Sequence, residues 1–552
     1  MPWDEKEWPF PSCSECSRKT PRHSRNGSPR VGSVYPPSNG FFVVNNCFYV
    51  LALLGCLCFL QAKDSQSSWN QLRGPDGSGV ALNSRPPLKI DPAEAAWKQE
   101  VPAGLSSPVL AGERIFFTGL EDGRLVTVAL DKKTGKRLWS RPAPKVPLEK
   151  THEANGPATP TPWADDDHVF TFFGSYGLLC YDHDGKELWK KPIPSCKSLY
   201  GSSTSPIGYE DLLILVLDDD NNLPGSRVSR SRILAVRKAD GETAWETPRP
   251  FQRSGWSTPI IWKHGEEKEL VVLGNGRLCG YALPSGEEKW HVTGFSRETI
   301  SMPLAGAGMV FASASKRGGA PDLNPDPQPF WDAVIRFDAN GDKKLQRQEM
   351  TGHFTFPFRP ELPLGHPGYG MPLPKDPRQR ARRLDGMFHW MDKNKDGSWS
   401  EKEFISNLTV GQGKPLLVAV RPGGKGDVTD SHLAWTLSRN VPEIPSPTFY
   451  RDRIYLICNG GVLAAADAAN GKLLYRERLG GLGQYSASPV VANDHLYLCS
   501  EEGLVTVVKT GDELQIVHQR ELGERVFVTP ALDASTLYLR GEKHLWAFRQ
   551  KK

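Results

Sequence analysis

The stretch at positions 158–189, ATPTPWADDDHVFTFFGSYGLLCYDHDGKELW, recurs in degraded copies along most of the chain, and this recurrence restricts the fold more than any other feature. Two landmarks count the copies. Each unit opens with a small residue or Met before a proline, and a Gly near its end is followed four residues later by Trp or a stand-in. The prolines are Pro108, Pro160, Pro206, Pro259, Pro303, Pro447, Pro489 and Pro530, which makes eight units spaced by 41 to 53 residues. The exception is the 144 residues between Pro303 and Pro447, so the fifth unit carries an insertion at about 318–414. Trp139, Trp189, Trp245, Trp290 and Trp435 mark the unit ends, with Tyr475 and Gln515 as decayed equivalents, and Trp97 stands alone ahead of the first proline.

The apolar runs RIFFTG, HVFTFFGS, LLILVLDD and RIYLICNG are too short for helices, are rich in β-branched and aromatic residues, and lead into turns such as Lys133-Thr134-Gly135 and Asp184-Gly185. Each unit therefore reads as about four antiparallel strands, with proline at the start of the innermost one, where a missing N–H is tolerated. The Trp of the last strand is expected to pack on the next unit. The eighth unit stops before its own Gly-xxx-Trp strand while the chain begins with a Trp strand that lacks a unit, so the strand of Trp97 should complete the last sheet and close a ring. The expected fold is all-β: an eight-bladed β-propeller closed by an N-terminal strand, with a small α-helical insertion. Propeller segments are expected at 63–317 and 415–552, on either side of the insertion at 318–414.

The pattern LVTVALDKKTGKRLW and its copies resemble the PQQ-like, or quinoprotein-type, β-propeller repeat with its Trp-docking motif. Longer passages, FFGSYGLLCYDHDGKELW and ELVVLGNGRLCGYALPSGEEKW among them, are similar to exported bacterial propellers that carry this repeat. The resemblance covers about residues 69–317 and 415–549 and implies a propeller fold; it says much less about activity.

The inserted stretch contains the strongest chemical motif. Positions 392–403, DKNKDGSWSEKE, fit a twelve-residue EF-hand loop: Asp392, Asn394 and Asp396 offer side-chain oxygens, Gly397 makes the sharp turn, Ser398 offers its carbonyl, Ser400 acts directly or through water, and Glu403 is the bidentate ligand. Leu384, Met387, Phe388 and Met391 recur at helical spacing before this loop, and Phe404 follows it. A second loop, DANGDKKLQRQE at 338–349, repeats the order with Asp338, Asn340, Asp342, Lys344 through its carbonyl, Gln346 and Glu349, entered by a helix bearing Phe330, Val334 and Phe337. Its departure is Lys343, where glycine is expected, so weaker binding is predicted there. The expected ion is Ca²⁺, in a structural role, with a dissociation constant of about 10⁻⁴ to 10⁻³ M.

With a formal net charge of only +5, nothing demands a nucleic-acid partner, and RVSRSR (227–232) and RQRARR (378–383) read as solvated faces. Residues 1–62 read as a disordered basic leader followed by a secretory signal. The apolar run at 47–60 is short for a membrane span, Leu53-Leu54-Gly55-Cys56 leaves a lipoprotein or an uncleaved membrane tether open, and Cys13-x-x-Cys16 has no second pair. Export to the periplasm, cell envelope or exterior is the consequence. Five cysteines follow the leader, an odd count without matched spacing. Cys180 and Cys279 are expected at the same place in two blades, on an inner strand, as separate buried thiols. The Gly-rich WNQLRGPDGSGV (69–80) has neither the strand before it nor the helix after it that a phosphate loop needs.

A ring of eight units should gather its loops around one mouth, the usual place for a ligand or partner; His152, Glu153, Tyr200, Arg253, Trp256 and Tyr485 lie in those loops. Two functions compete. One is an exported calcium-binding scaffold for a protein or small-molecule partner at the mouth, comparable to the propeller lipoprotein of bacterial outer-membrane assembly. The other is a PQQ- and calcium-dependent quinoprotein dehydrogenase. The resemblance implies that such enzymes stack the quinone on adjacent cysteines, and this chain has no Cys-Cys pair. PQQ is therefore not expected and the scaffold is the favoured reading.

Overall fold

The computed structural model describes residues 69–551 except 199, 222, 225–227, 251, 297, 316–327, 358–359, 361–362, 366–368, 409–414 and 482. The chain divides into two units, Met1–Lys63 and Asp64–Lys552. The leader, signal segment, lipobox-like site and Cys13-x-x-Cys16 lie outside the described residues, and the following concerns the second unit.

Eight antiparallel sheets follow one another. Blade 1, for example, runs Val109–Ala111, Arg114–Glu121, Arg124–Asp131 and Arg137–Pro142, each strand paired with the next. The middle strands are buried along nearly their whole length, because each face packs against a neighbouring sheet, and the outermost strand alternates or faces solvent. Six blades have their four strands continuous in sequence. Blade 5 is interrupted after Met309–Ala314 and resumes at Leu416–Val420, its direct antiparallel partner, so the insertion leaves and re-enters at one hairpin. The last blade, Ala531–Asp533, Thr536–Arg540 and His544–Arg549, takes its fourth strand from Trp97–Glu100, with Trp97 opposite Ala547. The N-terminal closure expected from the unpaired Trp is present.

Consecutive blades are joined by the Trp. A Cβ placed on Gly135, Gly185, Gly241, Gly286 or Gly471 would lie 2.4–2.7 Å from the indole of Trp97, Trp139, Trp189, Trp245 or Trp435 respectively, each belonging to the preceding blade. All five glycines have φ between 71° and 83°, so the turn needs glycine both for its backbone and for the indole that lies on it. Four of the indoles also donate Nε1–H to a backbone carbonyl of that same turn: Trp97 to Lys132 (3.3 Å), Trp139 to His183 (2.9 Å), Trp189 to Lys238 (2.7 Å) and Trp435 to Ala468 (2.9 Å). Since Trp97 sits on blade 8 and Gly135 on blade 1, the contact that joins successive blades also closes the ring.

Three expectations are corrected. In the seventh unit the residue opposite the bulged position, where Ala129 faces Trp139, is His518 facing Val507; Gln515 lies at the start of that strand, because the turn before it is longer. In the second unit the proline that precedes the innermost strand, Trp163–Ala164, is Pro162 and not Pro160. Cys180 and Cys279 do not share a place. Cys180 faces Trp189, but in the fourth blade Gly280 faces Trp290 and Cys279 is its neighbour, so a one-residue offset turns the two thiols to opposite sheet faces. Both occupy the third strand rather than an inner one, both are buried and free, and burial raises both pKa values, that of Cys279 to about 12.

The docking geometry predicts a contrast between two glycines of positive φ. Gly241→Ala meets the Trp189 indole, whereas Gly112→Ala (φ 54°) meets nothing within 4 Å. Both substitutions strain the backbone by about 1 kcal/mol, and Gly241→Ala should lose about 1–3 kcal/mol more through overpacking, read as the difference between two urea-unfolding free energies.

Candidate functional site

Two places in the described structure collect chemistry: the paired loops of the insertion and the mouth of the ring. The insertion has its own core, in which Phe330, Trp331, Val334, Leu345, Leu384, Met391, Trp399 and Phe404 are buried. Helix α1 (Gln328–Val334) continues through a 3-10 turn, Ile335–Phe337, into the first loop. Helix α2 (Pro377–Met391) begins with Pro377 behind Asp376, whose carboxylate accepts from the N–H groups of Arg378 (3.0 Å) and Gln379 (2.8 Å), and ends at Asp392. Helix α3 (Glu401–Leu408) follows the second loop. After the first loop there is only a turn: Gly352 and Pro357 interrupt a helical path, and the chain enters the strand Thr355–Pro357, paired with Gly370–Pro372.

The two loops are conformational copies. Their fourth and sixth positions are left-handed in both: Gly341 (φ 76°) and Lys343 (φ 62°) in the first, Lys395 (φ 61°) and Gly397 (φ 82°) in the second. Each loop thus places glycine at one of the two left-handed positions and lysine at the other. Lys344–Gln346 and Ser398–Ser400 pair antiparallel across the two loops, with Leu345 opposite Trp399 and both side chains fully buried.

The oxygen-bearing side chains of the second loop turn inward and hold its N–H groups. Asp392 accepts from Asp396 (3.1 Å) and Gly397 (2.9 Å), Asn394 Oδ1 accepts from Asp396 (2.8 Å), and Asp396 accepts from Ser398 (2.9 Å). Glu403 spans the loop, accepting from Asn394 N–H (3.2 Å), Ser400 N–H (3.1 Å) and the Ser400 hydroxyl (2.7 Å). The first loop repeats this with Asp338 accepting from Gly341 (2.7 Å) and Lys343 (2.9 Å), and Glu349 accepting from Ala339 (2.9 Å) and Gln346 (2.7 Å). Asn340 Oδ1 accepts from Asp342 N–H (2.8 Å), and Asp342 accepts from Lys344 N–H (2.8 Å) and the Gln346 amide (2.6 Å). Hydrogen bonds from Ser398 and Lys344 hold the Asp396 carboxyl well below the ordinary range. Burial, the largest single influence on Glu403, pushes its pKa up, but the bonds from Ser400 and Asn394 together outweigh it and leave it lowered. The Lys344 ammonium lies 3.0 Å from Asp396 Oδ2, which ties the two loops by charge.

At the ring axis, the residue before each landmark proline builds a hydrogen-bonded circuit. The backbone N–H of Ser107 donates to the Thr161 hydroxyl, Thr161 to Ser205 and Ser205 to Thr258, each at 2.9 Å. Met302 donates to Ser446 and Ser446 to Ser488 at 2.9 Å, and Ser488 to Thr529 at 3.1 Å. The recurring small residue before proline is thus a hydroxyl that takes up the neighbouring blade's N–H. Met302, which has none, interrupts the circuit.

Two residues further out, Leu105, Thr159, Ser203, Trp256, Ile300, Ile444, Ser486 and Phe527 form a second ring around an apolar mouth cavity of about 200 Å³. Of the residues expected there, Tyr200 and Trp256 line it, their rings edge to face at 5.0 Å, and His152 packs on Tyr200 at 5.0 Å. Trp256 is anchored through Nε1–H to the Gly201 carbonyl at 2.9 Å. Glu153 is exposed away from the lining, Arg253 donates to the Asp220 carbonyl (3.2 Å), and Tyr485 is buried behind it.

Sequence reasoning missed what holds these loops. Asp218, Asp219 and Asp220 are anchors. Asp218 forms a fully buried ion pair with Arg249 at 2.6 Å, Asp219 accepts from Lys197 N–H (3.0 Å), and Asp220 accepts from Ser254 N–H (2.9 Å). The 69–80 segment was also missed as a structural element. It crosses the axis from blades 1 and 2, where Trp69 and Asn70 bond Leu110 and Ala164, to blade 7, where Val80–Ala81 adds a parallel strand. A further group, His264, Glu267 and Glu269, has metal-like spacing, but the Lys289 ammonium already bridges its two carboxylates.

A family model described as outer membrane protein assembly factor BamB matches residues 87–206 and 398–552. No curated protein matches the chain. Among solved structures, BamB from Moraxella catarrhalis is similar at 10% identity, covering 83% of this chain and 99% of that one, with a TM-score of 0.46. The computationally designed Ika8 protein is similar at 9% identity over 82% and 98% with a TM-score of 0.47, and quinohemoprotein alcohol dehydrogenase from Comamonas testosteroni at 12% over 88% and 81% with a TM-score of 0.38. No residue role is carried over from these three. The repeat, with its Pro-led inner strands in eight blades and its docked Trp in five, matched by the family model on both sides of the insertion, places the chain in the PQQ-like β-propeller family.

Proposed function

We propose that the chain is an exported, calcium-binding β-propeller that acts as a protein-interaction or ligand-binding scaffold in the cell envelope. The observation that carries the calcium reading is the matched backbone of the two twelve-residue loops, joined by a short β-bridge and lined with inward-turned oxygens. Asp392, Asn394, Asp396, the Ser398 carbonyl, Ser400 and Glu403 would hold one ion, and Asp338, Asn340, Asp342, the Lys344 carbonyl, Gln346 and Glu349 the other. These are hard oxygen donors of the kind calcium takes, and Leu345 and Trp399 bury the bridge between the loops. The ion would supply positive charge among carboxylates that here accept from N–H groups, hydroxyls and one ammonium, so its role is to fix the module. The second loop is the stronger site, since the first has a cationic residue, Lys343, at the sharp turn.

The scaffold reading is supported by the family model, whose description is that of an assembly factor, and by a mouth that is concave and mostly apolar. The cell-envelope placement rests on that description and on the signal-like segment of the sequence. No helix among the described residues is long and apolar enough to cross a membrane. A quinone cofactor does not fit the mouth, whose lining offers neither a carboxylate to hold a metal beside it nor a cysteine to stack on it.

Calorimetric titration of calcium should detect at least one site, and Glu403→Ala should remove the stronger; an isotherm identical in both proteins would refute the ligand assignment. Lys343→Gly removes a cationic side chain from the turn of the weaker site and should tighten it about fivefold, seen as a separate transition in the same titration. Incubation with PQQ and calcium followed by gel filtration should leave no quinone absorbance on the protein, and a stoichiometric chromophore would replace the scaffold by the dehydrogenase.

A further inference from the structure

Below the mouth, the hydroxyl circuit surrounds a second cavity of about 140 Å³ that shares its outer rim with the first and is floored by Leu72 and Arg73 of the crossing segment. Arg73 is 1% exposed and is presented from a left-handed backbone (φ 65°). Its Nη2 donates to the Pro447 carbonyl (2.8 Å), the Thr448 hydroxyl (2.9 Å) and the Ser78 carbonyl (3.2 Å), while Nε and Nη1 have no partner. Among the described residues no carboxylate pairs with it, and burial alone pulls its pKa down to about 9. Among the described residues Arg540 is another guanidinium buried without an acid, but its Nη1 and Nη2 are spent on the carbonyls of Ser106, Pro102 and Thr118, only Nε lacks a partner, and it does not line the cavity.

A buried cation with two unpartnered nitrogens, three N–H donors between them, and no counter-charge is costly, and water can satisfy its hydrogen bonds but not its charge. The walls add donors. The circuit hydroxyls already use an oxygen lone pair to accept the neighbouring N–H, and none of them donates to another described group, so their protons are available to an acceptor on the axis. The Ser107 hydroxyl makes no described bond at all. An unpartnered planar guanidinium and a ring of hydroxyls that line one cavity without an acid are the donor set of an oxyanion.

We propose that the axial cavity binds one small oxyanion, seated on Arg73 and ringed by the throat hydroxyls. The oxyanion is either an inorganic phosphate or sulfate, or the carboxylate head of a small organic acid whose apolar body rests among Trp256, Ile300, Ile444 and Phe527. This site lies within the ring and is independent of the calcium loops.

The test is isothermal titration of the full chain, dialysed free of oxyanion buffers, with phosphate, sulfate and phenylacetate in turn. One-to-one binding of at least one probe is expected. Phosphate or sulfate binding without a change in tryptophan fluorescence identifies the inorganic source, and phenylacetate binding with a fluorescence change that phosphate does not produce identifies the organic one. Arg73→Met should weaken binding about 10- to 100-fold. Because that change could unfold the crossing segment, Ser107→Ala, which removes no described hydrogen bond, serves as the second variant and should weaken binding about 3- to 10-fold with an unaltered unfolding curve. Absence of binding by all three probes at about 10 mM to the folded protein, or unchanged affinity in the folded variants, overturns the proposal.

Discussion

The structure depends on an indole lying on a glycine. Propeller blades are twisted sheets that touch face to face, and apolar packing between such faces is not directional enough to set the angle from one blade to the next. The Trp contact is directional. It fits only where the partner residue lacks a Cβ, and in four instances an Nε1–H bond to a carbonyl of the same turn fixes the rotation of the ring. Where no indole docks on the next blade, other parts of the chain intervene. Trp290 lies on no glycine turn of blade 5; its Nε1–H bonds Glu269 at 2.7 Å and its strand edge is covered in parallel by Gly426–Asp427. On blade 7, His518 bonds the Ile90 carbonyl at 3.0 Å, so the segment leading to Trp97 occupies the place a docked turn would have filled. The blade interfaces are thus of two kinds, repeated docks and individual repairs, and the closing interface between blades 8 and 1 is of the repeated kind.

The axis has a different logic. Eight innermost strands converge where side chains are too crowded for large residues, and each begins after a proline that lacks an N–H. The residue before that proline still has its own N–H to satisfy, buried and facing the next blade. A short hydroxyl on the neighbour meets this need without filling the channel, which explains why Ser and Thr recur at these positions and why the channel remains a cavity. The crossing segment then covers one end and brings a charge to it. A protein needing only a plug could have used an apolar side chain at Arg73, since replacing a buried charge by a hydrophobic residue is often neutral or stabilising.

Periodic features were legible in the sequence because they are enforced by contacts that repeat. Blade number, the closing strand and the interrupted fifth unit follow from landmarks whose residues touch one another in space. The errors arose where a landmark was matched by spacing alone. Pro160 and Pro162 are both preceded by threonine, and only the hydroxyl circuit through Thr161 distinguishes them. Gln515 was matched by counting from a glycine, whereas a longer turn shifts the bulge to His518. Cys279 resembles Cys180 in its preceding leucine, yet strand alternation makes one residue a change of face. The acids at 218–220 and the 69–80 segment carry no periodic signal at all. Their roles come from partners tens to hundreds of residues away, such as Arg249 for Asp218 and Pro447 for Arg73, and a single sequence contains no record of such pairings.

The place of the insertion explains how both folds coexist in one chain. Ala314 and Leu416 are opposite one another in the ladder of blade 5, so the inserted residues begin and end at adjacent points, and a ring strand need not move to admit them. The cost of a long excursion between such points grows only logarithmically with its length. The inserted residues also meet their own apolar requirement, because their buried side chains form a cluster separate from those of the blades. Lys344 is the link that makes the two loops one device. Its carbonyl belongs to the first loop while its ammonium lies on Asp396 of the second, so whatever neutralises Asp396 also frees the side chain of a residue in the other loop. Coupling of this kind needs no change in the blades, and a ring held by indoles on glycines is suited to carry such a module because its own geometry is already determined elsewhere.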